Sequence, residues 1–163
     1  EYSRAGAGRD EQFSDVNVDS VLRSVVSNLK VTIAEARASV SWDNLPLVVP
    51  YDSMRLTQIF QNLIANAVKF RGQRSPEVRV TAERQGNWWQ FGVPDAGIGI
   101  EPQYLERIFV LFQRFHTRAD YPGAGIGLAV CKKIVERHGG EVWATNGASG
   151  GAAVGFRLPP TPV

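Results

Sequence analysis

Residues 61–70 read Gln-Asn-Leu-Ile-Ala-Asn-Ala-Val-Lys-Phe, and the fold is decided by how this decapeptide and its approach are read. Leu56, Ile59, Phe60, Leu63 and Ala67 recur at the i, i+3, i+4 spacing of a buried helical stripe. At roughly 100° per residue, Asn62, Asn66 and Lys69 fall within about 60° of one another, roughly 110° around from the centre of that stripe. The helix therefore has a core side and, next to it, a side carrying two amides and an ammonium. Amide oxygens are hard ligands, suited to Mg²⁺ or its waters. A lysine one turn on meets phosphate oxygens as a point charge. An ordinary amphipathic helix with solvated polar residues has the same pattern, so the decision passes to the rest of the chain.

The chain has 163 residues, the size of one domain, with 44% hydrophobic and 21% charged residues. Its net charge of +2 is too small to imply a nucleic acid partner or direct membrane contact, and it holds no basic block. Cys131 is the one cysteine, so no intrachain disulfide forms and a reducing, cytoplasmic setting is expected. It lies in the apolar run LAVCKKIV and reads as a small core residue. No apolar run approaches the length needed to span a bilayer.

Outward from the organising helix, Asp52 is a good cap for a start near Ser53, and Gly72 ends it. Upstream, residues 1–12 are polar and Gly-rich and read as a linker, the remnant of a preceding helix. FSDVNV reads as a short strand. Asp19 or Ser20 then caps a helix carrying Val21, Leu22, Val25, Val26 and Leu29, ending near Ala38. SVSWDNLPLVVP holds two short β-like runs around Asp43-Asn44. Downstream, EVRVTAER and WWQFGVP flank Gly86-Asn87 as a hairpin, so Trp88 and Trp89 point to opposite faces. Glu101-Pro102 opens a short helix. A further helix runs from about Ile126 to His138 and stops at Gly139-Gly140, before a final Gly-rich hairpin. The order predicts an α+β domain over 13–159, one mixed sheet with helices on one face, and a tail at 160–163.

Two glycine-bearing segments carry chemistry. In Asp95-Ala-Gly97-Ile-Gly99-Ile100, an acidic side chain at a strand end can accept from an adenine amino group, and the glycines let a flat base approach. A tight turn with a local cap reads the same way. Gly123-Ala-Gly125-Ile126-Gly127-Leu128 runs into a helix, where free N–H groups and the positive dipole end suit phosphate. No Lys-Ser/Thr follows, so it is not a P-loop, and HTRADYP before it is not the strand a Rossmann turn needs. Gly150-Gly151 reads as a hairpin turn.

In this order and separation the segments resemble the ATP-binding catalytic domain of sensor histidine kinases, in the superfamily that also holds gyrase-, HSP90- and MutL-type ATPases. Asn62-Leu-Ile-Ala-Asn66-Ala resembles the family's N box, Asp95 to Gly99 and Gly123 to Leu128 its glycine boxes, and Phe109-Val-Leu-Phe112-Gln-Arg114 its F box. The run from Glu106 to Gly140 is most similar to phytochrome-type and PAS-linked kinases. The resemblance covers about residues 13 to 159 and implies a two-layer α/β sandwich, the Bergerat ATP-binding fold. It implies a flexible lid over His116 to Ala124 and the cofactors ATP and Mg²⁺.

The same resemblance implies roles. Asn66 ligates Mg²⁺, Asn62 lies beside metal water or phosphate, Lys69 meets phosphate, and Arg114 reaches the terminal phosphate. Asp95 holds the adenine amino group, with Gly97 and Gly99 giving the base room, and Ile100, Phe112 and Ile126 also belong to the cofactor-binding set. Gly123, Gly125, Gly127 and Leu128 turn backbone N–H groups to the phosphates. Gyrase-type members place a water-activating Glu where this chain has Asn62. An amide is a poor base, so the γ-phosphate is kept for another acceptor. Neither His116 nor His138 lies in a phosphoacceptor context, and His138 reads as a favourable end-of-helix residue. The expected partners are an upstream dimerisation domain bearing the histidine and a response regulator receiver domain, with the isolated domain a monomer. Ala96 stands where Asn is usual and Pro94 removes a strand donor, which supports an alternative: the same fold as a nucleotide-binding or interaction module without kinase activity.

Overall fold

The structure is a computed structural model that describes residues 13–43, 45, 48–69, 77–94, 124–146 and 152–159. Seven strands and four helices follow in the order β1 (Phe13–Asn17), α1 (Val18–Asn28), α2 (Lys30–Ala36), β2 (Ser39–Trp42), β3 (Val48–Asp52), α3 (Ser53–Lys69), β4 (Glu77–Gln85), β5 (Trp88–Pro94), α4 (Ala124–Arg137), β6 (Glu141–Asn146) and β7 (Ala152–Leu158). Five strands form one mixed sheet in the order β2-β4-β5-β7-β6, with β2 parallel to β4 and the other pairs antiparallel. Helices α3 and α4 lie against this sheet, and α1 and α2 pack on α3. This is the two-layer α/β arrangement expected from the sequence.

The expectation of one sheet is corrected. β3 leaves the main sheet and pairs antiparallel with β1, from Phe13 opposite Asp52 to Asn17 opposite Val48. The reason is local: β3 runs into α3 with no connecting residue, so it lies in the helix layer rather than the sheet plane. Pro50 lacks an N–H and is suited to such a two-stranded ribbon. Pro94 closes β5 still in register opposite Ala153, so the strand end holds.

Helix ends show why the chain turns where it does. The cap of α1 is Asn17, whose Oδ1 accepts the Ser20 N–H at 2.9 Å, and not Asp19 or Ser20. Asp19 is taken by Arg23 Nε at 2.6 Å and Trp42 Nε1 at 2.8 Å, and the Arg23 bond, followed by the Trp42 bond, lowers its pKa. The first helix also breaks at Leu29, whose φ of −104° and ψ of 13° separate α1 from α2. Asp52 caps α3 as expected, its Oδ1 3.0 Å from the Arg55 N–H. Helix α4 begins at Ala124, two residues before the sequence estimate, and ends where Gly139 adopts a φ of +84° and Gly140 N–H returns to the Val135 carbonyl at 2.9 Å. A Cβ at residue 140 would collide with the Arg157 carbonyl, so the chain can pass there only as glycine.

The core is centred on three rings. Phe60 of α3 meets Phe91 of β5 and Phe156 of β7 edge-on at 5.5 and 5.3 Å, and those two, paired across the ladder, stack at 5.2 Å. All three are fully buried. Offset and edge-on pairs of this kind add about 0.5–1.5 kcal/mol each beyond area burial. The opposite face of the sheet is covered by no described element. There Trp143 lies across Gly155, and the Arg157 guanidinium sits 4.5 Å from the Trp88 ring centroid. Trp89 turns inward against the core, so the two adjacent tryptophans do divide between the faces.

Candidate functional site

Helix α3 is fixed from its apolar side. Leu56, Ile59, Phe60, Leu63, Ile64, Ala67 and Val68 are all buried. This seats the helix on the sheet and leaves Asn62 and Asn66 half-buried at its flank. Asp52 holds the first turn, and Asn28 Nδ2 donates to Gln61 Oε1 at 3.0 Å, tying α1 to α3 one residue before Asn62. The two amides thus project from a helix whose rotation is set by both layers.

The amides have different environments. The Asn66 Oδ1 is buried and has no hydrogen-bond partner among the described residues. A buried acceptor left without a donor costs about 1–3 kcal/mol, so such a group calls for an explanation. An amide oxygen held in that state fits a hard cation or a water of its shell. The Asn62 side chain lies near the Cys131 sulfur and acts on its pKa. Cys131 lies on α4 and is fully buried, and its Sγ donates to the Ile59 carbonyl of α3 at 3.6 Å. Burial pushes the thiol pKa up to about 12, and the Asn62 contact pulls it the other way. Among the described residues no group of three or more His, Cys, Asp or Glu could hold a metal.

Helix α4 packs on α3. Gly125, Ile126 and Gly127 lie in its first turn, and Leu128 is buried against the core. First-turn N–H groups have no partner within their own helix, so this end offers donors and a positive dipole end. Lys69 is the last residue of α3. Its side chain lies outside what is described, as do Asp95, Gly97, Gly99, Ile100, Phe112, Arg114, Gly123 and the proposed lid up to Gly123. Of the expected site residues, the structure describes the side chains of Asn62 and Asn66 and the backbone at the start of α4.

Two features were not read from the sequence. Cys131 was legible as core, but its contact with Asn62 depends on how α3 crosses α4. His138 directly follows the last residue of α4, as expected, and its burial was not foreseen. Its Nδ1 pairs with the Tyr51 hydroxyl at 2.7 Å, with the rings at right angles and 5.1 Å apart.

Several known proteins are similar to this chain. The profile of the family described as "Histidine kinase-, DNA gyrase B-, and HSP90-like ATPase" matches residues 51–162. The chain is 45% identical to phytochrome-like protein Cph1 of Synechocystis sp. over 148 residues, 91% of this chain and 20% of that protein. It is 47% identical to cyanobacterial phytochrome A of Nostoc sp. over 147 residues, 90% of this chain and 19% of that protein. The chain thus spans about a fifth of the length of these relatives. Among solved structures, a nucleotide-free catalytic domain of histidine kinase ThkA superposes with a TM-score of 0.77 at 28% identity, covering 93% of this chain and 99% of that one. Full-length ShkA in complex with AMPPNP gives 0.80 at 29% identity, over 99% of this chain and 34% of that one. ThkA in complex with the response regulator TrrA gives 0.73 at 26% identity, over 91% and 42%. No helix among the described residues is long and apolar enough to cross a membrane.

Proposed function

The chain belongs to the histidine kinase-, DNA gyrase B- and HSP90-like ATPases, and from there we propose that it binds Mg-ATP and donates the γ-phosphate to a histidine of another domain. The observation that carries this reading is the Asn66 Oδ1, buried and without a donor beside Asn62. In this reading Asn66 holds Mg²⁺, and Asn62 and Lys69 lie along the metal's waters and the phosphates. The bound metal would neutralise charge on the β- and γ-phosphates. Asp95 accepts from the adenine amino group, with Gly97, Gly99, Ile100, Phe112 and Ile126 around the base. Arg114 meets the terminal phosphate, and the backbone of Gly123, Gly125, Gly127 and Leu128 donates to the chain of phosphates. Phosphoryl transfer needs mainly positioning and charge neutralisation, which these groups supply.

Transfer rather than hydrolysis follows from Asn62. An amide is a poor general base and does not activate water. The acceptor is a histidine of a dimerisation domain, and a receiver domain takes the phosphate onward in a cytoplasmic two-component system. The relatives are several times longer than this chain, which leaves room for both the acceptor and a sensor.

The test is calorimetric titration with Mg²⁺ and a non-hydrolysable ATP analogue, for this chain and for Asp95→Asn, followed by transfer from ATP to a separately supplied histidine-bearing domain. A charged hydrogen bond of about 1.5–3 kcal/mol corresponds to roughly 10- to 150-fold in affinity, which Asp95→Asn should lose. Equal affinity in the variant, or rapid ATP hydrolysis with no transfer, would refute the reading.

A further inference from the structure

The sheet face turned away from the helices has chemistry of its own, independent of the nucleotide reading. There Gly92 of β5 lies opposite Gly155 of β7, with Thr81 of β4 beyond the first and Trp143 of β6 beyond the second. Two neighbouring strands thus lack side chains in one row, and a trough of about 170 Å³ lies between Thr81 and Trp143. A Cβ at Gly155 would be 2.9 Å from Trp143 Cε2 and Cζ2 and 3.0 Å from Nε1, near-equal distances that place the indole flat over the glycine. One face of the ring therefore rests on Gly155 and the other is turned outward. In the adjacent row Glu83 opposes Gln90, and both also line the trough. Glu83 is diagonal to Gly92, a separation that a long side chain bridges.

The same face shows what such groups hold. The Arg157 guanidinium lies 4.5 Å from the Trp88 ring centroid while its Nε donates to Glu141 at 3.1 Å. An indole with a carboxylate beside it thus fixes a guanidinium here. Trp143 and Glu83 repeat that pair of groups around the trough, and among the described residues neither has a cation. Arg79 is already engaged by Asp43 at 2.8 Å. Along the described face Asp43, Glu77, Glu83 and Glu141 stand against Arg79 and Arg157, so this face is acidic on a chain whose net charge is +2. We propose that the trough is a docking site for a protein segment that presents an arginine. The arginine stem crosses the outward face of Trp143, and its guanidinium lies over Gly92, where the Glu83 carboxylate accepts from it. Arginine suits the site better than lysine, because its planar group is weakly hydrated and stacks on aromatic rings.

The test is a heteronuclear NMR titration of the chain, without nucleotide and at constant ionic strength, with the peptide acetyl-Gly-Arg-Gly-amide. The same peptide with citrulline in place of arginine is the neutral isostere. The arginine peptide should shift the Trp143 indole N–H and the Gly92 and Gly155 amides together, and the citrulline peptide should leave them in place. Trp143→Leu should weaken binding roughly two- to fivefold, as for loss of an exposed cation–π contact. Glu83→Gln, an exposed change that leaves the core untouched, should weaken it by up to about fivefold. Glu77→Gln removes the same charge from the same face outside the trough and should have a smaller effect than Glu83→Gln. Thermal melts establish that the variants fold. Equal shifts with the citrulline peptide, equal losses in Glu77→Gln and Glu83→Gln, or no shift at these three residues would overturn the proposal. Concentration-dependent shifts of the same resonances without peptide would assign the face to a second copy of the chain, and would overturn it too. Because no nucleotide is present, none of these outcomes bears on the Mg-ATP reading.

Discussion

Replacing Asn66 by Leu should make the nucleotide-free protein more stable while removing its function. Leu has the same branched heavy-atom skeleton as Asn and no polar atoms, so it fills the site without an orphaned acceptor. The buried Oδ1 without a donor costs about 1–3 kcal/mol, and its removal should return about 1–2 kcal/mol of that because Asn66 is only half-buried. At about 2–4 °C per kcal/mol for a domain of this size, the melting temperature should rise by roughly 2–8 °C. Leu also has a higher helix propensity than Asn, by a few tenths of a kcal/mol. Asn62→Leu controls for that, since it gains the same propensity one turn earlier but loses the amide's contact with Cys131. Urea unfolding without Mg²⁺ or nucleotide should therefore show Asn66→Leu above the parent and Asn62→Leu at or below it. Titration with the Mg-bound ATP analogue should show binding lost in Asn66→Leu. Equal gains in both variants, or a net loss in Asn66→Leu, would mean that the Asn66 oxygen is satisfied in solution, and the metal reading would lose its support.

Tyr51→Phe removes the partner at 2.7 Å from the buried His138 Nδ1 and should destabilise the protein by about 1–3 kcal/mol in urea unfolding, with no change in nucleotide affinity. Cys131, with its pKa raised from 9.0 to about 12, contributes stability that is complete below pH 9 and fades as pH rises toward 12. A melt series over that range should show the parent losing its advantage over Cys131→Ala, and alkylation of the native thiol at pH 8 should proceed no faster than global unfolding.

The sequence was informative wherever one residue's neighbours on the helix or strand settle its role. The stripe from Leu56 to Ala67, the Asp52 cap, the hairpin around Gly86-Asn87 and the stop at Gly139-Gly140 are all local, and each is present in the structure. The partition of β2 and β3 between two sheets was not legible, because both runs look alike and their partners lie far away in sequence. The pairing of His138 was not legible for the same reason: its partner is 87 residues earlier. In the site, the pairing of Asn62 with Asn66 follows from helical spacing. The difference between them does not, because it depends on which one α4 reaches with Cys131.

The sheet order has a consequence for biosynthesis. β7 is the last of the described strands in the chain, yet it sits inside the sheet between β5 and β6, bonded to both. As the chain leaves the ribosome, β5 and β6 emerge first, and neither can pair along those edges until Leu158 has followed. Phe60 and Phe91 likewise wait for Phe156 to complete their cluster. During that interval two strand edges and two rings are open to other chains, the conditions under which nascent sheets misassemble. A stalled or prematurely terminated chain is thus no smaller version of this domain. It is an incomplete sheet with a slot in its middle, and a natural substrate for quality control.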